Sequence, residues 1–577
     1  MPSILKTNHS FCLIAILSYF ISFSQINFSD SALQLGLSTN CGTPYLGSGV
    51  SFFDFDNDGW DDLSFATEDG QGLLFYKNTN GNFNLIDLNI PFLNSPTKQI
   101  NWVDFDNDGD KDLFVTSNID GNKLFENLGN SNFQDITLSS GLPTQNMFTN
   151  GATWGDYNND SYLDVFLSNK DLTIDTFTPN YLFKNNGDGT FTNVSTNAGI
   201  DAFRHQTFCS VFLDINNDGW LDIYTSTDKA YNLNQLYRNN ADGTFTEIGA
   251  SSNTDLEFNA MTTTVGDYNN DGWIDIYVTN LGDSALLVNN GDETFTDMAI
   301  ATGCEFGSTG WGAIFLDADN DTDLDLYVSG SLYSNPVLKS AAFHEQLIDG
   351  NFVIPNTAGF YNDEYNSYSN AIGDINNDGR PDFAVANGNN QSICLWENQS
   401  TNSNNWLKIN LEGTISNRDA IGSKIEISID EEKQFRFTHC GEGYMAQNSG
   451  SEFFGLGTNA TIDYLKISWP SGTEDIFFDV SANQVLDITE GDSTLSTENF
   501  ELSTIIVYPN PVKNELHIKH KNAINKLLIT NALSQEVYAT KKAFTNPNID
   551  VSHLDSGLYF LTITTNNSSI VIKFIKH

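Results

Sequence analysis

The sequence predicts an all-β fold: a seven-bladed β-propeller followed by two small C-terminal β-sandwich-like domains. Three observations carry this. An acidic stretch, Asp54-Phe-Asp-Asn-Asp-Gly-Trp-Asp-Asp62-Leu, occurs seven times, starting again at Asp104, Asp156, Asp214, Asp267, Asp317 and Asp374. The offsets are 50, 52, 58, 53, 50 and 57 residues, and a steady period of that size marks a solenoid, a propeller or an array. Between the copies run short strand-like segments and Asn/Gly turns, with no useful helical period.

Residues 1–24 read as a secretory signal. Lys6 gives a positive start, Phe11 to Phe23 a short apolar run, and Ser22-Phe23-Ser24 a small-x-small cleavage site before Gln25. The run is too short to span a membrane comfortably, and no other stretch is apolar enough to do so. The mature chain is therefore expected to have no transmembrane segment.

Residues 25–403 hold the repeats. After each acidic stretch comes a strand such as Asp222-Ile-Tyr-Thr-Ser, then a second such as Gln235-Leu-Tyr-Arg. A turn of the kind Asn185-Asn-Gly-Asp-Gly-Thr-Phe191 follows, with a last strand beginning at the Phe. With the strand before the acidic loop, each unit has four strands, and four-stranded units arranged radially make a propeller. The seventh unit lacks its last strand. Phe28-Ser-Asp-Ser-Ala-Leu-Gln-Leu-Gly-Leu37 resembles the last strands of other units, so residues 28–37 are expected to complete it and clasp the ring shut.

The acidic stretches offer oxygen at positions 1, 3, 5 and 9. The sets are Asp54, Asp56, Asp58 and Asp62; Asp104, Asp106, Asp108 and Asp112; Asp156, Asn158, Asp160 and Asp164; and Asp214, Asn216, Asp218 and Asp222. The remaining three are Asp267, Asn269, Asp271 and Asp275; Asp317, Asp319, Asp321 and Asp325; and Asp374, Asn376, Asp378 and Asp382. Alternating hard oxygens without Cys or His suit Ca²⁺, with up to seven ions. For one copy, Asx turns between strands would be reason enough; seven copies in register favour metal. Position 6 is Gly in five copies, which permits a positive φ. Ser161 and Thr322 stand there in the others, and loops 156–164 and 317–325 are the least favourable. The repeat resembles the FG-GAP/VCBS repeat, and the resemblance implies a calcium-binding propeller over about residues 28–399.

Residues 404–490 leave the repeat. Asn417-Arg-Asp-Ala-Ile-Gly-Ser423, Gly441-Glu-Gly-Tyr-Met-Ala-Gln-Asn-Ser449 and Trp469-Pro-Ser-Gly472 occur in order and resemble the ASPIC/UnbV domain, for which the family implies no agreed activity. Arg418, Asp419, Glu442, Tyr444 and Gln447 sit in its Gly-rich loops, where turn and core-edge roles outweigh a ligand site. Residues 491–502 form a polar linker. Residues 503–577, with Val507-Tyr-Pro-Asn-Pro511 and Lys573-Phe-Ile-Lys576, resemble the C-terminal sorting domain of type IX secretion. That resemblance implies a partner in the secretion machinery and a place outside, or on the outer surface of, a Gram-negative bacterium.

The balance of 74 acidic and 26 basic residues, −48 in all, argues against nucleic acid as a partner. Five cysteines remain after the signal, with no CxxC spacing, and mostly buried free thiols are expected. No nucleophile, metalloprotease or phosphate-loop motif is present, so the protein is not expected to be an enzyme. The leading expectation is a secreted or surface calcium-binding protein that binds a polysaccharide or a protein partner. The alternative is an extracellular polysaccharide lyase or hydrolase on the same scaffold. Trp60, Trp220 and Trp273, all at loop position 7, would either stack on sugars or pack between blades.

Overall fold

The computed structural model describes residues 26–494 except 92–94, 145–146, 172–177, 201–202, 204, 230, 332–338, 340 and 361, and residues 506–577 except 520–523, 532–534, 541–546 and 565–568. The signal segment and most of the linker lie outside the described residues. Strands hold 45% of the chain and helix 3%, which makes it all-β.

The chain enters through a short strand, β1 (Phe28–Asp30), and the first repeat then sets the pattern. β2 (Val50–Phe53) leads into the acidic loop, and β3 (Asp62–Phe65), β4 (Leu74–Thr79) and β5 (Asn82–Ile86) follow, each antiparallel to the one before. β-Branched and aromatic residues fill the strands because side chains there meet neighbouring sheets on both faces. Five more four-stranded units repeat the order, with first strands Ile100–Val103, Thr149–Gly155, Thr207–Leu213, Thr264–Gly266 and Ser308–Leu316. In the seventh, Ser367–Gly373, Asp382–Asn387 and Cys394–Asn398 are joined by β1 as the fourth strand. Phe28 lies opposite Asn398 as Phe191 lies opposite Asn185 and Phe245 opposite Asn239.

The first strands pack on one another from unit to unit. β2 contacts both Ile100–Val103 and Ser367–Gly373. One buried cluster joins Phe52, Leu63 and Phe65 of the first unit to Ala371, Ala384 and Leu395 of the seventh. Single-turn helices at Ser195–Ala198, Gly249–Ser252 and Ala299–Thr302 connect units. They are too short for a periodic signature, so the sequence pattern does not announce them. Cys41, Cys209, Cys304, Cys394 and Cys440 are all buried and free.

The second domain is two sheets around one core. Trp406–Glu412 lies between Ser451–Gly455 and Gln484–Thr489. The other sheet orders Glu432–Phe437, Lys424–Ile429, Thr461–Ser468 and Glu474–Ser481. Leu407, Ile425, Phe454 and Leu465 fill the space between them. The last domain is again a three-stranded and a four-stranded sheet, closed over Leu516, Ile529, Leu561 and Phe574. No helix among the described residues is long and apolar enough to cross a membrane.

Candidate metal centres and the docked second domain

Each acidic loop is folded by its first carboxylate. Position 1 accepts the backbone N–H of position 5 on Oδ1 and of position 6 on Oδ2 in all seven copies, at 2.7 to 3.2 Å. This turn needs left-handed backbone at positions 4 and 6. Position 6 reaches φ 85° at Gly59, but also 73° at Ser161 and 97° at Thr322. The two departures from Gly thus adopt the strained conformation expected of them.

The ninth position lies at the start of the second strand and is buried in every copy: Asp62, Asp112, Asp164, Asp222, Asp275, Asp325 and Asp382. Its Oδ1 accepts a backbone N–H from the end of the third strand, at 2.6 to 2.8 Å: Asn78, Asn127, Asn185, Asn239, Asn289, Gln346 or Asn398. Burial pushes the carboxyls of Asp62 and Asp112 up to about 9, and neighbouring loop carboxylates add to this. Burial likewise raises Asp54 to about 6 and Asp104 to about 7.

Positions 1, 3 and 5 converge. The carboxylates of Asp54, Asp56 and Asp58 lie within 4.8 Å of one another, as do those of Asp104, Asp106 and Asp108, and of Asp317, Asp319 and Asp321. In the other four copies Asn158, Asn216, Asn269 and Asn376 accept the N–H of position 5 with their amide oxygens. Whether a cation fits can be tested on unsatisfied oxygens. Asp62 Oδ2, Asp112 Oδ2 and Asp56 Oδ1 are buried and accept no hydrogen bond. A buried carboxylate oxygen without a partner is costly, and a hard divalent ion is the group these donor sets fit.

Two further sets of hydrogen bonds run from loop to loop, and both involve residues that the motif reading passed over. The position-4 Asn is left-handed in every copy, with φ between 54° and 63°. Its Nδ2 donates to the position-6 carbonyl of the next loop. Asn57 reaches Gly109, Asn107 Ser161, Asn159 Gly219, Asn217 Gly272, Asn270 Thr322 and Asn320 Gly379, and Asn377 returns to Gly59, all at 2.9 to 3.3 Å. Six of the seven third-strand amides form the second set, in the opposite sense, while Asn127 bonds to Lys111 of its own repeat. Asn78 reaches back to Ile375, Asn185 to Phe105, Asn239 to Tyr157, Asn289 to Ile215, Gln346 to Tyr268 and Asn398 to Ala318. An invariant Asn between the ligand positions was the available sequence signal.

The second domain sits on the same loops. Arg418 N–H donates to Asn107 Oδ1, Lys424 Nζ to Asn217 Oδ1, and Lys408 Nζ to Asn377 Oδ1. Asp419 accepts Asp104 N–H at 2.8 Å and pairs with Lys111. From this domain residues 439–449 extend along the first strands of the repeats. Ala446 and Gln447 pair in parallel with β2. Gln447 accepts from Trp102 N–H at 2.7 Å and from Ser51 Oγ at 2.9 Å, and its Nε2 donates to the Trp102 carbonyl. Trp154 N–H donates to Cys440 O, Gly443 N–H to Thr263 O, and Ser449 N–H to Ile372 O. Tyr444 is fully buried, stacks near Phe208 and Trp311, and donates to Leu46 O at 2.8 Å. Of the Gly-rich loop residues, Arg418, Asp419, Tyr444 and Gln447 thus bond to the repeats. They dock one domain into the other.

Trp60, Trp220 and Trp273 are half-buried beside their loops, Trp273 against Gly291 of its own repeat. The exposed aromatic residues of the repeats among the described residues, Tyr45, Phe203 and Tyr231, lie elsewhere, and Phe478 is exposed on the second domain. Tyr45 and Phe203 precede first strands, and Tyr231 links a second strand to a third. All three are thus at the strand ends away from the acidic loops.

FG-GAP-like repeats match residues 54–115, 104–167, 170–225, 214–278 and 267–328, the ASPIC and UnbV family matches 413–495, and the secretion system C-terminal sorting domain matches 506–577. The chain carries FG-GAP-like repeats, an ASPIC and UnbV domain and a type IX sorting domain, in that order. Its sorting domain directs it to the cell surface or outside the cell. Cartilage acidic protein 1 of Xenopus tropicalis is 24% identical over 329 residues, and that of Homo sapiens 22% over 327, each match covering 56% of this chain. The chain spans 42% and 41% of the length of these relatives. Among solved structures, an Agrocybe aegerita lectin that recognises non-reducing terminal N-acetylglucosamine aligns with 52% of this chain and 78% of its own, at 18% identity and a TM-score of 0.34. PorZ, a surface component of the type IX secretion system of Porphyromonas gingivalis, aligns with 92% of this chain and 81% of its own, at 12% identity and a TM-score of 0.24. Scores of this size establish no common fold.

Proposed function

We propose that this FG-GAP-repeat protein is a calcium-stabilised, seven-bladed propeller at the cell surface or released from it, acting as a binding module for a polysaccharide or a protein. Support for the ring comes above all from the cyclic chain of position-4 amides, in which Asn377 of the seventh loop donates to Gly59 of the first. The strand pairing of Phe28–Asp30 with Cys394–Asn398 agrees with it. Calcium would be held by positions 1, 3, 5 and 9 of the loops. Bound there, the ion neutralises the carboxylates and fixes the loop, and supplies no reaction chemistry.

The ASPIC and UnbV domain covers the acidic-loop side and fills the space between the first strands. The opposite side carries Tyr45, Phe203 and Tyr231, exposed by 65%, 72% and 80%. Exposed aromatic rings are the groups that stack on sugars or anchor protein partners, and this favours binding over catalysis. The test is retention of the full mature chain on a broad glycan array, in millimolar Ca²⁺ and in chelator, beside Tyr231→Ala. Retention that falls in the variant and in chelator supports the reading. No glycan retained in either buffer would rule out the carbohydrate ligand and leave a protein partner. A melting curve identical in excess calcium and in chelator would overturn the metal assignment, because an ion that binds only the folded chain stabilises it by mass action.

A further inference from the structure

The loops share a backbone but not a charge. Immediately before each third-strand amide stands one half-buried side chain, which in two repeats reaches the acidic loop. It is Lys77, Glu126, Lys184, Arg238, Val288, Glu345 and Glu397 in repeats 1 to 7. Lys77 pairs with Asp56 and lies 2.9 Å from Asp58 Oδ2; Lys184 lies 2.9 Å from Asp160 Oδ2. In repeats 2 and 6 the same strand position holds Glu126 and Glu345. Arg238 is turned to Glu293 at 2.9 Å, and Glu397 accepts from Ser31 Oγ.

Building on the calcium reading above, we propose that this residue sets the order in which the loops fill. In repeats 2 and 6 Glu126 and Glu345 stand where an ammonium stands in repeats 1 and 3, and the converging carboxylates there, with no lysine from that position on them, take calcium first. Lys77 and Lys184 place an ammonium on the donor sets of repeats 1 and 3, which stay metal-free until calcium displaces it.

The affinity of an oxygen site for calcium follows its ligand charge, and a tethered ammonium must be expelled before the ion can take its oxygens. Repeat 6 is the extreme case. Asp317, Asp319 and Asp325 are almost wholly buried there, and the carboxylates of Asp317, Asp319 and Asp321 lie within 4.8 Å of one another. Arg436 acts on Asp317 but commits its Nε and Nη1 to the carbonyls of Phe453 and Phe435. In repeat 2, Lys111 is committed to Asp419, and Arg418, 4.0 Å from Asp104, lies 2.6 Å from Glu412. Thr322, which weakens the sixth loop's backbone, thus stands in a loop of four buried or converging Asp side chains.

The experiment is anomalous diffraction from crystals of the full chain soaked at stepped free calcium, with peaks read loop by loop. Peaks in repeats 2 and 6 are expected at free calcium about tenfold or more below those in repeats 1 and 3. Lys77→Met should bring repeat 1 forward by about tenfold, and Glu345→Gln should set repeat 6 back by a similar factor, each without moving the other loops. Simultaneous filling, or an order unchanged in both variants, overturns the proposal while leaving calcium binding intact. No peak in any loop at millimolar calcium overturns the calcium reading and this proposal with it.

Discussion

Asn377 Nδ2 donates to the carbonyl of Gly59 at 2.9 Å, joining the last acidic loop to the first across 318 residues of chain. Its Oδ1 accepts from Lys408 Nζ, also at 2.9 Å. One side chain therefore holds a loop-to-loop contact and a contact with the second domain.

Asn377→Gly keeps the left-handed backbone, φ 55°, and removes both bonds. A typical hydrogen bond contributes about 1 kcal/mol net, so a loss of about 1–2 kcal/mol is expected. The urea midpoint at fixed calcium measures it. An unchanged midpoint would show that these bonds do not hold the loops together.

Thr322→Gly should stabilise the chain. Thr322 holds φ 97° with a β-branched side chain, a strain worth about 1–3 kcal/mol, partly offset by the greater unfolded freedom of Gly. A net gain of about 1 kcal/mol is expected in chelator, where no ion supports the loop. Ser161→Gly should gain less, because Ser161 Oγ donates to the Ile415 carbonyl at 2.5 Å. Equal gains for the two would contradict this account.

His344 makes the sixth repeat sensitive to acid. It is fully buried, and burial pushes its imidazole down to about 4, with the charge of Lys339 acting the same way. Between 4 and the ordinary 6.5 the unfolded chain binds the proton and the folded chain does not, so stability falls as pH falls through this window. A loss of about 2 kcal/mol is expected between about pH 7.5 and 5. The wild type should lose that much more than His344→Leu, by urea unfolding at the two pH values. The difference isolates the imidazole from the many carboxyls, whose raised values act in the opposite direction. Equal pH dependence in both proteins would exclude this role.

Gln447→Leu should loosen the second domain from the repeats. The change leaves Trp102 N–H and C=O and Ser51 Oγ without their amide partner, and unmet buried groups cost about 1–3 kcal/mol each. Limited proteolysis should cut near residues 439–449 faster than in the wild type. A cleavage pattern identical to the wild type would show that the insertion is held by its other contacts.

Much of the fold was readable because the acidic stretch does two jobs that both constrain residue type. Asp at positions 1 and 9 holds backbone N–H groups as well as facing the loop, so the seven copies remain recognisable as punctuation between strands. The match of Phe28-Ser-Asp30 to the other last strands foretold its pairing with Cys394–Asn398, because the same Phe lies opposite the same Asn in register. What stayed hidden was between units. Asn57 and its six equivalents look like turn residues, and their loop-to-loop bonds depend on the placement of neighbouring sheets. Tyr444 and Gln447 were equally opaque. A polar residue between glycines reads as a surface turn, and only a partner hundreds of residues away explains its burial. The same applies to Lys77 and Lys184, whose distance from the acidic motif in sequence conceals their place beside it.

The insertion of residues 439–449 also has a temporal meaning. Ser51 meets Gln447 across 396 residues, so the first repeat leaves the ribosome long before its partner exists. The segment that fills the space between the first strands is thus made late. Until it arrives, the amide and carbonyl of Trp102 lack their partner and Phe208 and Trp311 lack the Tyr444 ring. A chain threaded N-terminus first across a membrane would pass through the same unfilled stage. Final consolidation then waits on the ASPIC and UnbV segment, which couples completion of the core to delivery of nearly the whole polypeptide.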